Sequence, residues 1–396
     1  MGWDYMSKLD PADSTKIVQA LFGKDGAAFT HARIPIGSTD FSNDRYSLNE
    51  NAGDIEMTKF SLDRDKQKLI PFIKAALGVN PDIKFWGSPW SPPTWMKDNK
   101  AFDKGNMLNT PDMLKAHANY LSKWAEEYGK EGIKIMAVAP QNEAGFLQDY
   151  PSCGWSGSQM ADYIGNYLGP KLAASNPGTD VWLGTLSNET ADDAIGQAVM
   201  GNATAFGFVK ASTLQWGMES KASSYAGKGK PVIQSEHKCG NYPWNPAGYP
   251  GYVSGKAPND QAYGIESWGY LKSWITKGVS QYYAWNMVLD TVGKGIDKRD
   301  WKQNALITVD VQAKKFNLTP AYYVFRHLSQ FVEPGAVRVG TQGGDALAFK
   351  NPDGSIVTVM YNSGGSAAAT TLAVAGKSLQ FSIPARGWAT VNWQKQ

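Results

Sequence analysis

The chain has 396 residues, with 39 Lys and Arg against 36 Asp and Glu, and its formal charge of +3 with interspersed signs points to neither a nucleic-acid nor an acidic partner. Hydrophobic residues make up 42% and charged residues 19%, which excludes a disordered chain, and no apolar run approaches the roughly 20 residues of a membrane span. Two cysteines, Cys153 and Cys239, make no disulfide framework, and four scattered histidines without ligand spacing make no metal site.

In chain order, short β-rich runs alternate with longer segments of helical period, the mark of a parallel α/β fold. The series begins with a helix over 13–22, a strand over 29–36, a helix over 63–77 and a strand over 83–88. It continues with helix 112–128, strand 133–138, helix 158–174, strand 180–186, helix 192–209 and strands 212–216 and 231–235. Helix 263–277, with Ile265, Trp268, Leu271 and Ile275 at helical spacing, and strand 280–286 complete it. Several helices open at an Asp or Ser suited to N-capping. Seven parallel strands are one short of a closed barrel. The expected fold is a (β/α)8 TIM barrel lacking its first strand at the N-terminus, over residues 1–302. From 303 the pattern changes. A helix over 320–331 leads into strands at 336–339, 346–350, 356–361, 370–375, 379–383 and 388–393. Turns such as Asn351-Pro352-Asp353-Gly354 separate them, so residues 303–396 read as a β-sandwich side domain.

Two segments carry chemistry. Val138-Ala139-Pro140-Gln141-Asn142-Glu143 and Pro231-Val232-Ile233-Gln234-Ser235-Glu236 are each an apolar strand ending in a carboxylate. In parallel barrels the chemistry sits at the C-terminal strand ends. The spacing of the two glutamates matches about three βα units of roughly 31 residues each. One such glutamate alone would be an ordinary strand-end residue. Two of them, one behind an asparagine, suit glycosidic bond hydrolysis, in which one carboxylate attacks the anomeric carbon and the other handles the proton. The charge of Glu236 should help keep Glu143 protonated. Asn142 is placed to hydrogen-bond a sugar 2-OH. These carboxylates do the chemistry themselves, so no cofactor and no metal is expected.

Aromatic content is the other unusual feature, with 15 Trp, 18 Tyr and 15 Phe. Flat rings stack on the C–H faces of pyranoses as well as filling cores. In Phe85-Trp86-Gly87-Ser88-Pro89-Trp90-Ser91-Pro92-Pro93-Thr94-Trp95-Met96-Lys97 the prolines stiffen a strand-end loop and fix its Trp rings.

With these motifs the chain resembles glycoside hydrolase family 30, the group of lysosomal glucosylceramidase and microbial β-1,6-glucanases. The resemblance runs across nearly the whole chain, through Arg33-Ile34-Pro35-Ile36-Gly37-Ser38-Thr39-Asp40-Phe41-Ser42, the Trp90 loop, Gln141-Asn142-Glu143, Ser235-Glu236 and Trp285-Asn286. It implies retention of configuration, with Glu143 as acid/base and Glu236 as nucleophile. It places Asp40, Trp90 and Asn142 on the sugar in the −1 subsite, Trp285 in the pocket wall, and Arg33 in support of the carboxylates. Three features depart from the family pattern. The Gly- and Phe-rich first strand is missing before Trp3; Leu214-Gln215-Trp216-Gly217 stands where the glucosylceramidase-like pattern has a His-Trp-Tyr run; and Ala144 replaces a Pro.

The expected substrates are β-linked glucosides, β-1,6-glucan or related oligosaccharides, because Asp40 can bind the 4-OH and 6-OH of a hexose. The run Tyr150-Pro151-Ser152-Cys153-Gly154-Trp155 is similar to the family's xylanase branch, which leaves a β-xylan-active hydrolase as an alternative. A non-catalytic carbohydrate-binding protein is a second one, since a barrel that cannot close can still bind. Cys153 and Cys239 follow the two catalytic strands, and they form either a disulfide over the site mouth or two free thiols. The start Met1-Gly2-Trp3-Asp4-Tyr5 is no signal peptide; a secreted or periplasmic location is nonetheless expected.

Overall fold

Seven parallel strands frame the molecule: β1 (His31–Pro35), β2 (Lys84–Ser88), β3 (Ile135–Val138), β4 (Asp180–Leu186), β5 (Val209–Gln215), β6 (Val232–Glu236) and β7 (Gln281–Tyr282). The computed structural model describes residues 1–238, 260–299, 301 and 303–394. The strands pair in sequence order from β1 to β7, and among the described residues no strand joins β7 back to β1. Among the described residues the barrel therefore has one open seam, between β7 and β1. A cavity of about 220 Å³ lies along it, between Arg33 and Pro35 on one side and Trp285 to Leu289 on the other, with Met1 and Trp3 in its wall.

The helices are α1 (Gly2–Met6), α2 (Pro11–Phe22), α3 (Asp63–Val79), α4 (Pro111–Lys130), α5 (Gly157–Tyr163), α6 (Gly169–Ser175), α7 (Ala191–Gly201), α8 (Ala203–Phe208), α9 (Ala222–Ala226), α10 (Gln261–Thr276) and α11 (Pro320–Ser329). Their starts follow from local chemistry. Thr110 accepts a hydrogen bond from the Met113 N–H ahead of Pro111, and Thr319 does the same for Tyr322 ahead of Pro320. Two predicted helices are corrected. The segment expected as one helix over 158–174 is α5 and α6 joined by a π-helical turn, Ile164–Leu168, because Pro170 has no N–H to donate within the helix. The helix expected over 192–209 breaks at Asn202, whose side chain caps Ala205, and Val209 already belongs to β5. The last barrel strand is also shorter than expected, although Tyr283 continues its pairing with Gln234.

The barrel interior is filled below the strand ends by Trp86, Trp182 and Tyr283, with Ala137, Ala211 and Ile233 between them. These rings form a packed floor. Trp86 lies 5.1 Å from Trp182 and 5.6 Å from Tyr283, centroid to centroid.

Beyond β7 comes a small sheet that sequence periodicity did not suggest: β8 (Val288–Asp290), β9 (Ile307–Asp310) and β10 (Lys315–Leu318). The C-terminal strands are β11 (Val337–Val339), β12 (Asp345–Lys350), β13 (Ile356–Tyr361), β14 (Ala368–Val374), β15 (Lys377–Ile383) and β16 (Trp388–Trp393). They make a four-stranded antiparallel sheet, β11-β12-β13-β16, and a β14–β15 hairpin. Ala346, Met360 and Ile383 bury the face between the two layers, with Leu372 and Phe381 against them. This β-sandwich is fastened to the barrel by Asp345, which accepts from Trp268 Nε1 at 3.0 Å and Lys272 Nζ at 2.7 Å. No helix among the described residues is long and apolar enough to cross a membrane.

Candidate active site

β3 and β6 end as their sequences suggest, with Glu143 and Glu236 at the same end of the barrel and both buried. Glu143 sits in the left-handed region at φ +48°, which a β-carbon makes costly by about 1–3 kcal/mol. It is held there by its own N–H, which donates to Thr185 O at 3.0 Å. Trp216 and Asn286, at the ends of β5 and β7, share this conformation at φ +49° and +54°. Three strand ends around one site are thus bent into strained backbone.

The two carboxyls meet different partners. Glu236 accepts from Arg33 Nη1 at 2.8 Å on Oε2 and from Trp216 Nε1 at 2.8 Å on Oε1. Glu143 accepts from Gln215 Nε2 at 2.9 Å on Oε1, and Tyr150 OH lies 3.4 Å from its Oε2. Burial pushes both carboxyls upward. For Glu143 the negative charges of Glu236 and Asp192 push further in the same direction, whereas Arg33 and Trp216 pull Glu236 back. Fewer groups therefore favour the ionised form at Glu143 than at Glu236.

Arg33 is the hub. Besides Glu236 it reaches Asn142 Oδ1 at 2.7 Å and Ser88 Oγ at 2.8 Å, and its guanidinium lies 4.3 Å from the Trp90 ring centroid. Asn142 also accepts from Thr185 Oγ1 at 2.8 Å, so its amide nitrogen is the end left for a ligand. Trp90 stacks with Trp285 at 5.8 Å and 21°. Asp40 is buried, its Oδ1 has no hydrogen-bond partner, and burial followed by the charge of Glu236 pushes its carboxyl up to about 8. All seven residues singled out in the sequence, Arg33, Asp40, Trp90, Asn142, Glu143, Glu236 and Trp285, thus fall in one region. The Trp loop divides its labour differently from the expectation. Only Trp90 lines the site; Trp86 belongs to the barrel floor, and Trp95 donates to Asn49 O at 3.0 Å away from it.

Other members escaped sequence reading. Gln215 and Trp216, noted in the sequence only as part of a departure from the family pattern, are polar partners of the two glutamates. Asp192 accepts from Gly145 N at 2.7 Å and from Ser187 N at 2.8 Å, so one carboxylate pins the loops after β3 and β4. Gln303 accepts from Trp285 Nε1 at 3.1 Å and Asn286 Nδ2 at 2.9 Å. Lys97, the last residue of the Trp loop, is buried and donates to Ser152 O at 2.7 Å and Phe102 O at 2.9 Å, joining that loop to the one that follows Glu143. Cys153, in the same loop, is a buried free thiol. Its proposed partner Cys239 lies outside the described residues.

Glu143 opens onto a cavity of about 630 Å³ walled by Phe146, Tyr150, Asn188, Trp216 and Trp301. Aromatic faces mixed with a few polar groups are what a saccharide site offers. Among the described residues no cluster of His, Cys, Asp or Glu could hold a metal ion.

Residues 4–332 match the glycosyl hydrolase family 30 TIM-barrel domain, and residues 335–391 match the family 30 beta sandwich domain. The chain is 29% identical to putative glucosylceramidase 1 of Caenorhabditis elegans, covering 89% of this chain and 69% of that one. It is 28% identical to the mouse lysosomal acid glucosylceramidase (89% and 71% covered) and 28% identical to an endo-1,6-beta-D-glucanase of Neurospora crassa (89% and 75%). Among solved structures, SrfJ from Salmonella typhimurium superposes with a TM-score of 0.88 at 23% identity, over 100% of this chain and 88% of that one. The xylanase C catalytic domain of Talaromyces cellulolyticus superposes with 0.78 at 21%, over 100% and 95%. With both of its domains matched in order, the chain belongs to glycoside hydrolase family 30.

Proposed function

We propose that this family 30 glycosidase is a retaining β-glycoside hydrolase, with Glu236 as nucleophile and Glu143 as acid and then base. The observation that carries this reading is the asymmetry of the two buried carboxyls. Glu236 is held by a guanidinium and an indole N–H, which favour its ionised form. Glu143 is served only by neutral donors, the Gln215 amide at 2.9 Å and the Tyr150 hydroxyl at 3.4 Å, faces the negative charge of Glu236 and opens onto the larger cavity. A protonated acid and an ionised nucleophile are what a double displacement requires. Asn142 is assigned to the sugar 2-OH, and the stacked Trp90 and Trp285 to the wall of the −1 subsite.

The proposed substrates are β-linked glucosides, β-1,6-glucan or its oligosaccharides first. Relatives named as glucosylceramidases and endo-1,6-β-glucanases support a glucoside, and so does Asp40, a buried carboxyl whose Oδ1 is left for a sugar hydroxyl. Because polymeric glucan does not cross a membrane, we place the enzyme in a secreted or periplasmic location, which fractionation of the producing cells tests.

Initial rates on pustulan, an aryl β-glucoside, an aryl β-xyloside and glucuronoxylan, with product anomers followed by NMR, test the reading. Expected are glucoside hydrolysis with retention and losses of several orders of magnitude in Glu143→Gln and Glu236→Gln. Activity confined to xylan overturns the glucan assignment. Sugar binding without turnover identifies a non-catalytic carbohydrate-binding protein instead.

A further inference from the structure

Gln215 lies at the last position of β5, fully buried, between the ends of the two strands that carry the glutamates. Its side chain is fixed at both ends. Nε2 donates to Glu143 Oε1 at 2.9 Å, and Oε1 accepts from Ser235 Oγ at 3.0 Å. Ser235 is itself buried and precedes Glu236 on β6, so one amide bridges the two catalytic strands. The reverse orientation of the amide would set a carbonyl oxygen against Glu143 Oε1. Two acceptors would then face each other whenever Glu143 is ionised. With Nε2 toward Glu143, the bond holds in both ionisation states.

From this geometry, and resting on the proposed hydrolase reading, we infer that Gln215 is the positioning residue of the acid/base step, confining the transferable proton to Glu143 Oε2. Oε1 permanently receives the amide N–H, so the carboxylic proton resides on the other oxygen. Oε2 receives only the long contact from Tyr150 OH at 3.4 Å, against 2.9 Å for the amide on Oε1, and Tyr150 lines the cavity of about 630 Å³ that Glu143 enters. The proton therefore faces the space left for the departing group. In the first step Glu236 forms a bond to the anomeric carbon while the C–O bond to the leaving group breaks. The electron pair goes to the leaving oxygen, which takes the proton from Oε2. In the second step water attacks the same carbon, Glu236 leaves, and the water proton returns to Oε2. Through both steps Gln215 keeps its single bond to Oε1. An imidazole there would add its own ionisation, whereas an amide does not titrate. Gln215 therefore adds no ionisation of its own to the pH profile.

The test is kcat/KM, which reports the first step, for Gln215→Leu and Gln215→His on two aryl β-glucosides. One has a 2,4-dinitrophenyl leaving group that departs without protonation; the other has a phenyl group that needs it. Gln215→Leu is expected to lose at least about 10-fold on the phenyl substrate and less than about 3-fold on the dinitrophenyl one, since general acid catalysis is worth about 10²–10⁴. Gln215→His, which keeps an N–H donor of similar reach, is expected to regain phenyl activity and to add one ionisation near pH 6–7 to the profile. Equal losses on both substrates, or a Gln215→His profile identical to that of the parent, overturn the assignment. If Gln215→Leu fails to fold, the Gln215→His profile decides alone. A parent protein inactive on every β-glycoside overturns the hydrolase reading itself, and this inference with it.

Discussion

Arg33 and Glu236 form an ion pair at 2.8 Å in which each side chain is only 6% exposed. Two buried charges are tolerated when each also satisfies its remaining hydrogen-bond capacity, and here Ser88, Asn142 and Trp216 complete the set. The pair couples β1, at the open seam, to β6, which carries the proposed nucleophile. Arg33→Lys keeps the charge but cannot span Glu236, Asn142 and Ser88 together. We expect it to fold and to lose about 100-fold or more in kcat/KM. Arg33→Ala should also cost about 3–5 kcal/mol of stability, because it leaves Glu236 unpaired in the interior. Urea titrations of both variants beside their kinetics check the two numbers.

Trp216 supplies the second donor to Glu236. Replacement by Phe keeps the ring and removes the N–H, so the proposed nucleophile in its ionised form loses a charge-assisted bond worth about 1.5–3 kcal/mol. The acid limb of the kcat/KM profile belongs to the group that must be ionised. It should move to higher pH in Trp216→Phe, with a fall of about 10-fold at the optimum. An unmoved acid limb would show that the indole N–H does not act on Glu236.

Asp192 pins the loop after Glu143 through Gly145 and the β4 loop through Ser187, and its charge helps keep Glu143 protonated. Asp192→Asn removes the charge and turns part of an acceptor set into donors that face backbone N–H groups. The basic limb, set by deprotonation of Glu143, should move to lower pH. Thermal stability should fall by the equivalent of about 1–3 kcal/mol. A full pH–rate profile with calorimetry separates the two effects.

What the sequence revealed and what it hid follow from how far each signal reaches along the chain. β4 was expected over the residues it occupies, because an apolar run of strand length between turn residues is a local property. Glu143 and Glu236 were legible for the same reason: each ends such a run. Asp192 and Gln303 are not, since each acts on a residue that only barrel topology brings near, and Gln215 shows only as a departure from the family pattern with no partner attached. β8 to β10 lie between the barrel pattern and the sandwich pattern, in a segment to which the sequence reading assigns no strand. Pro170 could have been heeded, since a proline deep in a predicted helix already argues against an unbroken α-helical ladder.

Asp40 offers the sharpest pH-dependent expectation. Its carboxyl is raised from an ordinary 3.8 to about 8, first by burial and then by the charge of Glu236. Between those values the native state holds a proton that the unfolded chain has released. Stability contributed by this group is therefore complete at acid pH and drains away as pH rises through the interval. Glu143, raised by the same causes, acts in the same direction. Asp40→Asn cannot ionise, so its melting temperature should fall less between pH 5 and pH 8 than that of the parent. At pH 8 the variant should be the more stable of the two, while its glucosidase activity drops because the amide replaces the group proposed for the sugar hydroxyls. A site tuned for binding at the expense of folding stability behaves this way. Parallel melting curves for the two proteins across that pH range would mean that Asp40 is ionised throughout, and that its proposed hexose contact must be made by a charged carboxylate.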